Sequence, residues 1–137
     1  MSMLTENDVV NSVSLFLKET GYSIDQALTT SQQGIDIEAT SSSGVRCYVE
    51  AKGATSSKVG SSRYGKEFNS NQIKTHIGVA LLKSFQTLQL YPNAEVVIAL
   101  PGNEGHRKVI DSMFVPIKNS GIKVFFVNSD AGIEKYI

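Results

Sequence analysis

A single cysteine, Cys47, in 137 residues excludes an intramolecular disulfide framework and a zinc centre of the usual cysteine-rich kind. Proline is scarce at three residues and glycine stands at eleven, which excludes a collagen-like repeat or a low-complexity chain. No apolar run approaches the ~20 residues needed to span a bilayer. The segment Met1 to Asp8 carries acids and no basic, apolar signal stretch. These absences lead to the expectation of a soluble, cytoplasmic protein with no membrane partner. What is present is an ordinary globular mixture, 41% hydrophobic and 19% charged. A chain of this length buries roughly two thirds of its unfolded surface, enough for one core, and a single domain over 1–137 is expected.

An excess of charge of either sign is also missing, since 13 lysines and arginines face 13 acids. The balance is uneven along the chain, however. From Lys52 to Lys83 six cations (Lys52, Lys58, Arg63, Lys66, Lys74 and Lys83) stand against one acid, Glu67, while the rest holds seven cations and twelve acids. A neutral protein with one basic stretch points to a localised anion-binding face, where a merely solvated surface is the alternative.

Thr5 followed by Asp8 reads as a helix start, and Val9, Val10, Val13, Phe16 and Leu17 follow at helical spacing up to a stop at Gly21. Tyr22, Ile24, Gln26 and Leu28 suggest a strand. After Thr29 to Gly34 the period is two, with Ile35, Ile37 and Ala39 on one face and Asp36, Glu38 and Thr40 on the other. Beyond the turn Ser41-Ser42-Ser43-Gly44, Val45, Cys47, Val49 and Ala51 alternate with Arg46, Tyr48, Glu50 and Lys52. From Gly53 to Asn69 there is no hydrophobic period, and a connection that long in a compact domain is usually functional. Ser70 is positioned to cap a helix with the stripe Ile73, Ile77, Ala80, Leu81, Phe85 and Leu88. Val96 to Leu100 has the continuous apolarity of a strand buried on both faces. Val109 to Ile117 suggests a helix broken near Pro116, and Val124 to Val127 a last buried strand. Three strands joined by short turns, then two reached through helical crossovers, give a three-layer α/β/α domain on a mixed five-stranded sheet.

Asp36, Glu50 and Lys52 stand out from spacing. A three-residue hairpin loop with Gly44 left-handed pairs Ser41 with Val45, and counting back pairs Asp36 with Glu50. Their Cβ atoms would then lie about 5 Å apart on one face. Two such carboxylates repel unless a cation lies between them, and a hard dication such as Mg2+ or Mn2+ is the natural occupant. Lys52 follows on the same face, ~6–7 Å along the strand, suited to holding a water or stabilising charge on a phosphate. Solvent-facing polar residues are the bland alternative, but a sheet covered by helices on both sides gives buried acids no idle role.

Gly34-Ile35-Asp36-Ile37, a hairpin, then Tyr48-Val49-Glu50-Ala51-Lys52-Gly53 resembles the signature of the PD-(D/E)XK nucleases, the restriction endonuclease-like superfamily. The order helix, three strands, helix, strand is similar to that superfamily's core, from about Thr5 to Leu100. Small archaeal-type Holliday junction resolvases and Mrr-like catalytic domains have a similar size and layout. The resemblance implies that Asp36 and Glu50 are metal ligands, with the Ala51 carbonyl as a third, and that Lys52 is the catalytic lysine. Ile35 replaces the nominal proline. Glu6 is the candidate for the acid that many members carry on the first helix, although a first-turn acid is its simpler reading. Glu38 shares the face of Asp36 but reads as a solvated edge residue.

Some members carry a glutamine and an aromatic four apart on the following helix. Gln72 is expected as an auxiliary catalytic residue on that basis, and His76, beside Lys83, as a weaker one. His106, next to Arg107 at a helix start, is expected at the surface, and Cys47 in the core facing away from the acids. The basic stretch, with Lys58, Arg63, Tyr64 and Lys66 interleaved with serines and Lys74 on the helix beyond, suits phosphate-backbone contact. The expectation is a metal-dependent nuclease, cleaving phosphodiesters by metal-activated water attack, with DNA the substrate that the resemblance implies, RNA left open because nothing in the sequence reads a 2′-hydroxyl, and a homodimer expected if both strands are cut. The alternative is an inactive nucleic-acid-binding or partner-binding domain that keeps the fold. Pro101-Gly102-Asn103-Glu104-Gly105 matches neither GxGxxG nor a P-loop, which weighs against a small-molecule enzyme.

Overall fold

The computed structural model describes residues 3–28, 34–55 and 68–137. Helix α1 (Glu6–Glu19) starts where the sequence places it, because Thr5 and Asp8 close a capping box. The Thr5 N–H donates to Asp8 Oδ2 at 2.9 Å and the Asp8 N–H to Thr5 Oγ1 at 3.2 Å. Such a cap contributes about 1 kcal/mol. Val9, Val10, Val13 and Leu17 form the buried stripe of this helix.

Strands β1 (Ser23–Ala27), β2 (Ile37–Thr40) and β3 (Arg46–Ala51) form the antiparallel meander. The hairpin between β2 and β3 sets the register. Gly44 is left-handed at φ +88°, its N–H donates to the Ser41 carbonyl at 2.9 Å, and the Ser41 N–H donates to the Val45 carbonyl at 2.8 Å. Ile37 then pairs with Val49 and Thr40 with Arg46. In β1 the register slips between Ile24 and Gln26, so Asp25 is an extra residue and Gln26 lies against Glu38.

Helix α2 (Ser70–Leu90) carries the chain to β4 (Glu95–Pro101), parallel to β3. Its cap is Asn69, whose side chain accepts from the Gln72 N–H, and Ser70 is the first helical residue instead of the cap. The buried stripe is Ile73, Ile77, Ala80 and Ser84, and Phe85 is 51% exposed instead of lying in it. Position 84, four beyond Ala80, faces the sheet; Phe85 is turned a further 100° away.

The last expected helix is two, α3 (Glu104–Asp111) and α4 (Phe114–Ser120). Pro116 falls in the first turn of α4, where its missing N–H has no helical acceptor, so the break comes before it, at Ser112 and Met113. Strand β5 (Lys123–Val127) pairs parallel to β4. A sixth strand, β6 (Ile133–Lys135), pairs antiparallel to β5 and corrects the five-strand expectation. Three residues are too short to show a period. Arg107 on α3 holds β6 through Glu134, with bonds of 2.6 and 3.3 Å.

The mixed sheet has the order β1-β2-β3-β4-β5-β6 and a core on each face. On one face α1 packs against Ile37, Ala39, Cys47, Val49, Ala51, Val97 and Phe125. On the other, α2, α3 and α4 cover Ile98, Leu100, Val124 and Phe126. Among the described residues no helix is long and apolar enough to cross a membrane.

Candidate active site

Asp36 directly precedes Ile37 and Glu50 directly follows Val49, the last pair of the hairpin register, and the two carboxyls interact at the end of β3 that points toward the helical crossover. Both are 8% exposed. Asp36 is anchored across the ladder, its Oδ2 accepting the Ala51 N–H at 2.8 Å. A buried carboxylate receiving a backbone N–H is a charge-assisted bond, which fixes the side chain on the Glu50 side of the sheet.

Glu50 is the strained member. Burial, then the neighbouring Asp36 charge and a hydrogen bond to it, push its carboxyl up from 4.5 to about 7, even though Lys83 and Lys52 pull the other way. Desolvation and like charge both disfavour the ionised form, and two ammonium groups do not fully offset them. Lys83 reaches across from α2, its Nζ 3.5 Å from Glu50 Oε1. It was placed by sequence on the polar side of α2 beside Gln72 and His76, but nothing there identified Glu50 as its partner. Tyr48, two residues before Glu50 on the same face, is sealed by Tyr91 stacked at 4.8 Å.

Lys52 follows β3 directly, its N–H donating to the Ala99 carbonyl at 3.0 Å. From there the chain runs close under the start of α1. The Ala54 N–H donates to the Leu4 carbonyl at 2.7 Å, and the Phe68 N–H to the Ala54 carbonyl at 3.0 Å. Gly53 is what permits this approach, since a Cβ there would lie 2.4 Å from the Glu6 nitrogen and 2.7 Å from the Thr5 carbonyl carbon. Gly53→Ala is therefore expected to displace the first turn of α1 and to cost about 1–3 kcal/mol, read as a lower urea midpoint at unchanged slope.

That approach brings in a fifth charged group of the site, one that the sequence assigns to the helix dipole. Burial and then Asp36 raise the Glu6 carboxyl above its usual value, while Lys52 and Lys83 act to lower it. Glu6 thus belongs to the same electrostatic cluster as Asp36, Glu50, Lys52 and Lys83. The available signal was Gly53, a glycine immediately after the polar strand end, which marks a close backbone approach. Glu38 is drawn off elsewhere, accepting from Gln26 Nε2 at 3.0 Å and pairing with Arg46 at 3.4 Å. Cys47 is fully buried in the α1 core, as expected.

Gln72 stands in the first turn of α2, where its Oε1 accepts the Asn69 N–H at 2.9 Å. His76 is half-buried, with Phe68 edge-on at 4.5 Å, and burial and then Lys52 lower its pKa. Lys74 is exposed on α2. Lys58, Arg63, Tyr64 and Lys66 lie outside the described residues. His106 is fully buried and not at the surface, because positions 106 and 110 of α3 share the face packed against the sheet.

Among the described residues no group of three or more His, Cys, Asp or Glu side chains is arranged to hold a metal ion. The donor chemistry at Asp36 and Glu50 nonetheless fits a hard dication. Two buried oxygen acids repel each other, and Mg2+ is commonly held by only one or two carboxylates, with waters and substrate oxygens completing its shell. Comparison of the chain with protein-family models, with curated proteins and with solved structures returns no match.

Proposed function

We propose that this chain is a metal-dependent nuclease of the PD-(D/E)XK type, with a restriction endonuclease-like fold, that hydrolyses phosphodiester bonds in DNA. The single observation supporting this most is the buried, interacting pair Asp36 and Glu50, with Lys52 immediately beyond the end of β3. Buried like charges are costly, and carboxylates held this way are a recurring feature of sites that need them. Asp36 and Glu50 would hold Mg2+ or Mn2+, with the Ala51 carbonyl as a third donor. When bound, such an ion supplies Lewis acidity at a phosphoryl oxygen and acidifies water.

The protein's own residues do the rest. Lys52 places an ammonium where negative charge grows on the phosphorane-like transition state, and can orient a water for in-line attack. The Ala51 N–H keeps Asp36 turned toward Glu50. Lys83 neutralises Glu50 from α2 and lowers the cost of its ionisation. Lys74, with the basic stretch of sequence before it, offers phosphate contacts of the salt-dependent, sequence-independent kind.

One observation favours a second reading. The Lys83 ammonium already lies 3.5 Å from Glu50 Oε1 and partly neutralises it without a metal, as it would in an inactive nucleic-acid-binding domain that retains the fold. Supercoiled plasmid and branched DNA incubated with Mg2+ or Mn2+ decide between them. Nicking or cleavage that disappears in EDTA and in Lys52→Met is expected. Binding of the same DNA without cleavage in either metal would establish the second reading and remove the first.

A further inference from the structure

Helices α2 and α3 hold between them an open trough of about 750 Å³. Its floor is apolar, with Ile73, Ile77 and Leu81 from three successive turns of α2, Val109 on α3 and Met113 just beyond it. Among the described residues that line it the charged ones are Lys74 and Lys108, both exposed, and none is an acid.

Two glycines line the trough, for different reasons. Gly105 is explained by the fold, since a Cβ there would lie 2.8 Å from Ile73 Cδ1 and push α3 off α2. Gly78 has no such explanation. It stands in the interior of α2, where glycine is the poorest helix former after proline, and a Cβ there would meet nothing within 4 Å. A helix glycine that no internal contact requires leaves room for something outside the chain to approach the backbone.

The apolar surface continues past the trough. Leu82 and Phe85, four and seven residues beyond Gly78 on the same face of α2, are 58% and 51% exposed. From Ser70 to Phe85 the strip runs about 22 Å, the length of a four-turn helix and more than a small ligand covers.

Charge selects the occupant. α2 carries Lys74, His76 and Lys83 and no acid, so a second copy laid helix on helix along this strip would meet like charge. Residues 56–67 of the chain hold three cations against one acid in sequence, again the wrong sign. Nucleic acid would satisfy the lysines but leave the isoleucine floor uncovered. A helix with apolar residues at i, i+3, i+4 and i+7 and acids on its flanks satisfies both floor and rim.

We propose that the α2–α3 trough is a docking groove for an acidic amphipathic helix of a partner protein, seated against Gly78 and held at its edges by Lys74 and Lys108. Docking stands apart from the nuclease reading. One consequence rests on that reading: Lys74 is shared with phosphate, so partner and DNA compete for it.

A fluorescein-labelled peptide of about 16 residues, with leucines at that spacing and glutamates flanking them, tests the groove by anisotropy with the full chain. Saturable binding with a Kd of about 1–100 µM, weakening as salt rises, is expected. The same peptide with lysines for glutamates should bind at least about tenfold more weakly, and Lys108→Glu should erase that preference. Gly78→Gln should weaken the acidic peptide at least about tenfold while raising the urea midpoint, because glutamine is the better helix former. No saturable binding of the acidic peptide, equal binding of the basic one, or unchanged affinity in Gly78→Gln would overturn the proposal; if that variant does not fold, Lys108→Glu decides. A chain dimer that Gly78→Gln dissociates would seat a second copy in the groove instead, and an about tenfold loss of DNA binding in that variant would make it a nucleic-acid surface; either overturns the proposal. Peptide binding by a chain that neither binds nor cuts DNA would leave the groove standing and remove the nuclease reading alone.

Discussion

Glu50→Gln is expected to abolish DNA cleavage, by at least about 10³-fold, and at the same time to make the metal-free protein more stable at pH 8. Loss of rate follows if Glu50 is a ligand, because an amide is a poorer donor to a hard dication and carries no charge. The gain in stability follows from the burial of the same carboxyl. Its folded-state pKa is raised from 4.5 to about 7 by burial and by Asp36. A group raised on folding contributes stability that is fully present below its unfolded value and lost as pH rises through the folded one. At pH 8 the ionised Glu50 therefore burdens the fold by on the order of 2–3 kcal/mol, net of Lys83 and Lys52. Glutamine keeps the shape and removes the charge. Urea unfolding in EDTA at pH 8 measures the gain, and a variant less stable than the parent would show that the Lys83 pair, not desolvation, dominates.

The same reasoning separates metal binding from packing. Addition of Mg2+ should stabilise the parent at pH 8, since a ligand for the native state adds RT ln(1 + [L]/Kd), and should leave Glu50→Gln nearly unmoved. Asp36→Asn is a useful companion. Its amide oxygen can still accept the Ala51 N–H, so the anchor at 2.8 Å survives while the charge that raises Glu50 is removed. Cleavage should be lost here as well, at little cost in stability.

How far this site could be read before the structure depends on the kind of information each residue carries. The hairpin register beside Asp36 and Glu50 was legible because it is local: Ser41 to Val45 contains the turn chemistry, and a period of two carries the register to Ile37 and Val49, each next in sequence to one of the acids. The α1 stripe and the two-faced burial of β4 were legible for the same reason. Lys83 and Glu6 were not, because what matters about them is a tertiary distance. Lys83 reaches Glu50 only through the packing of α2 on the sheet, and Glu6 joins the pocket only because Gly53 lets the chain pass under α1. His106 was misplaced by composition, since histidine beside arginine at a helix start resembles surface, yet the cap at Asn103 turns that position inward. Strand β6 was missed because its pairing with β5 is secured by Arg107 and Glu134, a contact between α3 and the C-terminal segment that no local pattern announces.

Opposed titrations of Glu50 and His106 lead to a second large effect, an acid response that is flat in the parent and steep in each single variant. His106 is lowered on folding from 6.5 to about 4, chiefly by burial. Its neutral form suits the fold, so its contribution is present above pH 6.5 and is lost as pH falls toward 4, by about 2 kcal/mol at pH 4.5. Glu50 runs the other way over the same interval, gaining stability as it takes up a proton between pH 7 and 4.5. Glu6 is shifted in the same direction as Glu50, while Glu95, despite its burial, is held below its usual value by Lys123 and Tyr22 and opposes it. Metal-free Glu50→Gln should thus lose about 2 kcal/mol between pH 6.5 and 4.5, whereas His106→Gln should gain a comparable amount. No hydrogen bond joins Glu50 and His106, whose Nδ1 faces Asn103, so the double variant should return to a shallow profile. Urea midpoints across pH 4.5–8 in EDTA measure all four proteins. A parent that loses stability on acidification as steeply as Glu50→Gln would mean that Glu50 is ionised throughout that range, and the buried acid pair would lose the electrostatic tension on which dication binding is argued.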